Sequence, residues 1–472
     1  MKVFLFCVSS LICTIAAHAA DATRISPDAI AAAQKLRDQA LDDSTAYDFV
    51  AGLTTEIGPR LAGGVNDQRA RDWVVAHFKA LGFDKVWTEA ATFPKWVRRG
   101  QSASIVAPFP QNLVILALGN SPGTPKGGIT GDIVAFKDFT ELQKADAASV
   151  KGKIVYIGFR MHQKRDGHDY GMGSDGRTNG PALAAKLGAK AFVLRSAGTD
   201  SDRVAHTGVT HFDKGAREIP AAAMSNPDAD LLERMLAMGK PVTLKLDLDC
   251  GFDGTFTGAN VVGEITGREK PGEAVVIGGH LDSWDPGTGA IDDGAGVAIA
   301  AGAAHLIGML PQHPKRSIRV VAFANEEAGM FGGHAFGEAH KADVATFTIG
   351  AESDFGSGRV WRLSSKVKPE ALGAIDQMMQ VLAPLGVERG ADGHAHGGDF
   401  GAMGDAGMAM LDLTQDGTRY FDWHHTANDT LDKIDPKDLA QNVAVYAAFA
   451  YLAAEADGDF GSAPGAFAAP KK

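Results

Sequence analysis

Five short stretches of this 472-residue chain carry side chains that bind cations and move protons. They are His280-Leu281-Asp282, the pair Asp292-Asp293 within Ala290–Gly296, Asn325-Glu326-Glu327, Glu352-Ser353-Asp354, and His424-His425 within Trp423–Thr430. In an extended segment alternate residues share a side, so His280 and Asp282 face together. A metal-bound imidazole usually donates its other N–H to a carboxylate, a role Asp282 could fill. Asp292 and Asp293 repel each other unless a cation neutralises them. Asp293 also suits the cap of a following helix, which is compatible with Asp292 holding metal. The Glu326-Glu327 pair follows an apolar run, where one carboxylate can bind metal while its neighbour acts as base. Mixed imidazole and carboxylate donors suit zinc, with other divalent transition metals open. The donor count is right for two ions sharing one carboxylate. Each stretch alone has a plainer reading, and the glycines around Asp292 do not match the dinucleotide fingerprint G-x-G-x-x-G.

The elements that must hold these residues read as strands and helices in alternation. Apolar runs of strand length at 274–279, 318–324, 346–351 and 408–413 alternate with helical patterns at 293–309, 369–382 and 436–454. Continuous apolar strands between helices imply an α/β sheet covered on both faces, and ligands bind such sheets beyond the carboxyl ends of the strands. Before this region, 27–41, 46–56 and 67–81 read as helices, and 85–93 and 102–107 as strands. Residues 120–251 have another texture: short strands at 129–135, 153–157, 191–194 and 242–247, with helices at 181–187 and 227–238. This is a compact α+β module. Its histidines, His162, His168, His206 and His211, show no ligand spacing and read as exposed loop residues. The Gly/Ala/Pro-rich tail, 458–472, reads as disordered.

Composition bounds the function. With 45% hydrophobic and 22% charged residues the chain is globular, and its net charge of −11 excludes a general nucleic-acid binder. The one tight basic cluster, Lys95–Arg99, reads as a solvated surface turn. Lys2, an apolar core over 3–15 and Ala17-His18-Ala19 fit a cleaved leader over 1–19, so the mature protein is expected to be periplasmic or secreted, with no membrane span. Cys7 and Cys13 leave with that leader. Cys250 remains alone and reads as buried packing.

Taken in order, HLDSWD, GAIDDGAG, ANEEAGMFGG, ESDFG and HHTANDT resemble the co-catalytic di-zinc peptidases of family M28, and look most like its carboxypeptidase Q branch. Ile57-Gly58-Pro59-Arg60-Leu61 is similar to that family's N-terminal segment. The resemblance implies a mixed sheet with helices on both faces, formed by 20–119 and 252–457, interrupted by an inserted smaller α+β domain at 120–251. GKIVYIGF, LAAKLGAKAFVL and IPAAAMS in that insert look similar to a protease-associated domain, which would modulate access or assembly rather than catalysis. The resemblance further implies two zinc ions per chain: His280 and Asp354 on one, Glu327 and His425 on the other, Asp292 bridging. Asp293 would follow in a strained peptide, Asp282 would orient His280, and Glu326 would be the general base. His425 is preferred to His424 because it precedes a small residue and lies four before Asp429. His394, His396 and Asp399 are candidates for substrate contact. The implied activity is exopeptidase cleavage of dipeptides or short peptides, by a homodimer if the branch is followed.

Three alternatives stay open at this point. M20-type metallohydrolases also use HxD, a Glu pair and a late histidine, but their extra domain falls between the Glu pair and that histidine, whereas the insert here precedes His280. Glutaminyl-cyclase-like acyl transfer needs one zinc. A scaffold relative would have lost its metals, yet Glu326 and all five ligand candidates are present.

Overall fold

The computed structural model describes residues 22–395 and 397–467. The expected leader, His396 and the last five residues lie outside the described residues. Seven strands come first: β1 (Lys85–Ala107), β2 (Gln111–Leu113), β3 (Ile115–Ala117), β4 (Ile129–Phe136), β5 (Ile154–Ile157), β6 (Ala191–Arg195) and β7 (Ala221–Met224). Seven follow: β8 (Thr243–Ile265), β9 (Lys270–His280), β10 (Arg316–Phe323), β11 (Phe347–Glu352), β12 (Val360–Lys366), β13 (Glu388–Asp392) and β14 (Met410–Gln415). They hydrogen-bond in the order β13-β12-β14-β11-β9-β10-β8-β4-β5-β6-β7-β3, with β1 along β8 and β2 along β1.

The continuous apolar runs take the middle of this path. β9, β10, β11 and β14 are mutually parallel, and β8 and β12 flank them antiparallel. Alternation sends Val275 and Ile277 into one core and Val276 into the other. The first core is closed by helices Pro27–Ala40, Ala295–Gly308 and Pro436–Glu455; the second by Phe336, Phe400 and Met403. The fold is therefore the α/β sheet covered on both faces that the pattern implied. One helical stretch, Ala290–Gly308, is long and apolar enough to cross a membrane, and 94% of it is buried inside the protein. Its hydropathy serves the core.

β1 and β8 form one antiparallel ribbon of 23 residues each. The second half of β8 pairs with β10 and its first half with β4, so the ribbon joins the large sheet to the smaller α+β half. Register breaks near Pro94, Arg98 and Ile105 explain why β1 reads in sequence as separate strands. Lys95–Arg99 is no surface turn. It lies on β1, with Arg98 paired to Asp285 between Trp96 and Trp284.

Three other expectations need correction. The helix expected at 181–187 runs from Tyr170 to Lys186. Its glycines hid it, yet Gly180 packs against Phe192, where a Cβ would clash. β2, β3, β7, β12 and β13 had no expected counterpart. The tail is ordered through Phe467: Phe460 is fully buried, and Gly458 O accepts from Arg316 Nη2 at 2.7 Å. Apolar anchors outweigh its turn-rich composition.

Candidate metal centre

Each of the three central parallel strands delivers chemistry at its carboxyl end. β9 ends on His280, β10 runs into Glu326 and Glu327, and β11 runs into Asp354. The loop after β9 brings Asp292 back under them, and the loop before the last long helix brings His424 and His425. The imidazoles at 280 and 425 thus meet across one aspartate. Asp292 Oδ1 is 3.1 Å from His280 Nε2, while Asp292 Oδ2 is 3.1 Å from His425 Nε2 and 3.4 Å from His424 Nε2. Asp354 Oδ1 is 3.5 Å from His280 Nε2, and Glu327 Oε2 is 2.9 Å from His425 Nε2. All five expected ligands are therefore in one cluster, with His424 beside it.

The surrounding chain is built to hold this cluster. Asp293 follows Asp292 through a cis peptide; its Oδ1 accepts the Gly296 N–H at 3.0 Å, opening the helix, and its Oδ2 accepts the His280 N–H at 3.0 Å. Glycine is required at 296, where a Cβ would collide with Ser353 O. Asp429 accepts the N–H groups of Ile291 and Asp292 at 2.7 and 3.3 Å. Asp282 acts differently from expectation. His280 Nδ1 donates to the Asp282 main-chain oxygen at 2.9 Å, whereas the carboxylate is 3.7 Å away and instead accepts the Glu326 N–H at 2.9 Å. One residue thereby orients both His280 and Glu326.

The donor set fits divalent cations. Asp282 Oδ2, Asp292 Oδ2 and Glu327 Oε1 are buried without a hydrogen bond among the described residues. Burying such oxygens is costly unless something neutralises them. Burial, reinforced by Asp354, Glu327 and Asp282 against His280, pushes the Glu326 carboxyl well above the usual carboxylate range. Burial and Asp292 do the same to Glu327. Burial would also raise Asp292, but His424, His280 and His425 hold it well below. His424 is driven well below the usual imidazole range by burial and by His425, on which it stacks at 3.5 Å.

A cavity of about 530 Å³ opens over the cluster. Tyr170, Phe355, Tyr420 and Phe421 line one side, and Arg177, Arg362 and His394 also reach it. Asp399 does not line it: the residue is buried, and its Oδ1 accepts the Gly333 N–H at 3.1 Å.

Residues 260–450 match the family model for peptidase family M28. Carboxypeptidase Q of Homo sapiens is 33% identical over 409 residues, covering 87% of this chain and 85% of the relative. The chain belongs to peptidase family M28. A crystal structure of a peptidase M28 precursor from Shewanella amazonensis is 46% identical, with a TM-score of 0.90 over 92% of this chain and 98% of that one. A zinc aminopeptidase from Bacillus subtilis shares the fold at 20% identity, with a TM-score of 0.61 over 86% and 94% of the two chains.

The roles of three residues of this family member escaped the reading of motifs, although Arg60 stands in the Ile57–Leu61 stretch. Arg60, fully buried, donates to the carbonyls of Gly58, Leu281, Thr288 and Gly289, at 3.1, 2.6, 2.6 and 2.7 Å. It ties the N-terminal segment to the loop that carries Asp292. Burial pushes its pKa down to about 10 against the pull of Asp429 and Asp282. Arg177 comes from the α+β half; it donates to Tyr170 Oη at 3.0 Å and meets no carboxylate among the described residues. His206, expected on the surface, is 1% exposed. An unpaired arginine in a cavity leaves no local sequence signal, and neither does a lone histidine.

Proposed function

We propose that this chain is a di-zinc exopeptidase that hydrolyses terminal peptide bonds of dipeptides or short peptides. The carrying observation is Asp292, whose two oxygens face two separate donor groups, His280 with Asp354 and His425 with Glu327. These groups would hold one ion each, with Asp292 shared. That arrangement favours two ions over the single zinc of a glutaminyl-cyclase-like enzyme. His425 is the better ligand of the histidine pair, because its Nδ1 donates to Thr207 O at 3.2 Å while His424 Nδ1 is buried without a partner. Zinc, when bound, supplies Lewis acidity that polarises the peptide carbonyl and acidifies the attacking water.

The chain's own groups do the rest. Glu326, partly buried and biased toward holding a proton, accepts the proton of the attacking water and passes it to the leaving amine. Asp282 keeps Glu326 in place through its backbone N–H. Arg177 is a cavity cation with no carboxylate partner among the described residues, and it meets the free carboxylate of a short peptide. The aromatic wall takes an apolar side chain, and the cavity volume suits a dipeptide. The insert at 120–251 contributes Tyr170 and Arg177, and hence part of the pocket. Export after loss of 1–19 would place the enzyme in the periplasm or outside the cell.

The test is a peptide panel blocked separately at each terminus, assayed with and without chelator. Cleavage that survives a blocked amino terminus but not an amidated carboxyl terminus, and that disappears with chelator, supports the reading. Full activity after complete metal removal, or in Glu326→Gln, defeats it.

A further inference from the structure

The loop that carries His425 is held on one side by Asp429, which accepts from Thr288, Ile291 and Asp292, and on the other by a strap from the insert. His425 sits in the left-handed region, at φ 64°. A non-glycine residue adopts that conformation only when its surroundings impose it, at a cost of roughly 1–2 kcal/mol. The imposing contacts come from residues 199–207. Thr207 N–H donates to His425 O at 3.1 Å, and Thr207 O accepts from His425 Nδ1 at 3.2 Å. Thr199 N–H donates to Phe421 O at 2.9 Å, and Thr199 Oγ1 donates to Asp422 Oδ1 at 2.8 Å.

His206 lies between these two anchors. Its Nδ1 is 2.7 Å from His424 O, and its Nε2 is 2.5 Å from Asp200 Oδ2. A carbonyl oxygen only accepts, so His206 Nδ1 carries the hydrogen and donates it. Asp200, 4% exposed at its side chain, is anchored in turn by Asn226 Nδ2 at 3.3 Å. Two main-chain carbonyls of the His424-His425 step are thus gripped from one side. The same grip protonates His425 at Nδ1 and leaves Nε2 toward Asp292 and Glu327.

We propose that the Asp200–His206 pair, with Thr207, is a positioning element for His425, which makes the insert part of the metal centre. This rests on the di-zinc reading above. His206 touches neither substrate nor reacting atoms; it fixes the backbone pose at His424-His425, while Thr207 O, from the next residue, sets the tautomer of His425. A partner of this kind typically governs metal affinity about 10–100-fold.

The experiment uses the full chain loaded with zinc, and separately with cobalt(II). Zinc retained per chain is measured against a competing chelator, along with the cobalt absorption spectrum, kcat, KM and Tm. His206→Ala removes the donor. His206→Asn keeps an N–H near the Nδ1 position and is the rescue variant. Asp200→Asn is the milder probe should His206→Ala fail to fold. The expected result is one zinc held as in the parent, the second weakened about 10–100-fold, an altered cobalt spectrum, kcat lowered with KM within about twofold, and substantial recovery in His206→Asn. Folded His206→Ala and Asp200→Asn chains that keep both zincs at parental affinity and an unchanged cobalt spectrum would overturn the strap alone. Equal damage in His206→Asn and His206→Ala would also overturn it. A parent chain that binds no zinc would overturn the di-zinc reading, and the strap with it.

Discussion

The two ends of the central strands treat buried charge in opposite ways. At their amino ends every buried charge meets its opposite. Arg316, 2% exposed, donates to Glu273 Oε2 at 2.6 Å and to the carbonyls of Ala456 and Gly458 at 2.6 and 2.7 Å. Glu264, 1% exposed, accepts from Lys85 Nζ at 2.7 Å and Arg319 Nε at 2.8 Å. At their carboxyl ends Asp282, Asp292, Glu326, Glu327 and Asp354 gather around His280 and His425, and three of their buried oxygens lack a donor among the described residues. The same strands carry both ends, so strand packing cannot explain the contrast. The amino end is neutralised by protein and serves stability, while the carboxyl end is arranged for charge that arrives from outside.

The largest effect should come from Glu326→Gln, which keeps shape and removes the proton acceptor. We expect kcat to fall by about 10³–10⁴ with Tm held or raised, because burial already favours the neutral form. Loss of zinc comes next. Stripping the ions should remove about 4 kcal/mol of stability at a thousandfold excess over the dissociation constant, read as a lower Tm that zinc restores. A Tm indifferent to zinc would erase the distinction between the two ends. Arg316→Met tests the amino end. It orphans the carbonyls of Ala456 and Gly458 and should cost about 3 kcal/mol in denaturant unfolding, with kcat of the folded chain unchanged.

Arg177→Ala probes the pocket that opens over the carboxyl end. If the guanidinium meets a terminal carboxylate, KM for free short peptides should rise about tenfold, and KM for carboxyl-amidated ones should hardly move. Equal change for both would remove Arg177 from recognition and leave Arg362 as the remaining cavity cation without a carboxylate partner among the described residues.

How much of this was legible in the sequence follows from how local each signal is. The central strands stand out because β9 to β11 are buried on both faces, so their apolar runs are unbroken. Four of the five candidate stretches stood out because each sits directly beyond such a run or opens a helix, while His424-His425, between Trp423 and the helix from Pro436, stood out by composition alone. The strap was not. His206 earns its place through contacts to His424 and Asp200, and the first spans 218 positions. Its flanking sequence, Val204-Ala205-His206-Thr207-Gly208, reads as loop and is loop, yet it is buried because another loop lies on top of it. The glycines of 170–186 misled for a related reason. They lower helix propensity locally, while close packing against Phe192 and Met161 rewards them through contacts no window of sequence contains.

The smallest expected effect concerns the sign of the pH response at the amino end. Burial alone would raise the Glu264 carboxyl, but Lys85 and Arg319 more than offset it and hold the group below its ordinary 4.5. A carboxylate whose folded value is depressed stabilises the fold above the unfolded value, and that contribution is lost as pH falls through the folded one. Glu264→Gln should therefore cost about 1–2 kcal/mol at neutral pH, with the deficit shrinking below about pH 4.5. Urea unfolding of parent and variant between pH 7 and pH 3, both stripped of zinc, would read this difference. A deficit that stayed constant across the range would mean that Glu264 contributes through shape and hydrogen bonding rather than charge. The claim that the amino end is neutralised by ion pairs would then have to rest on Arg316 alone.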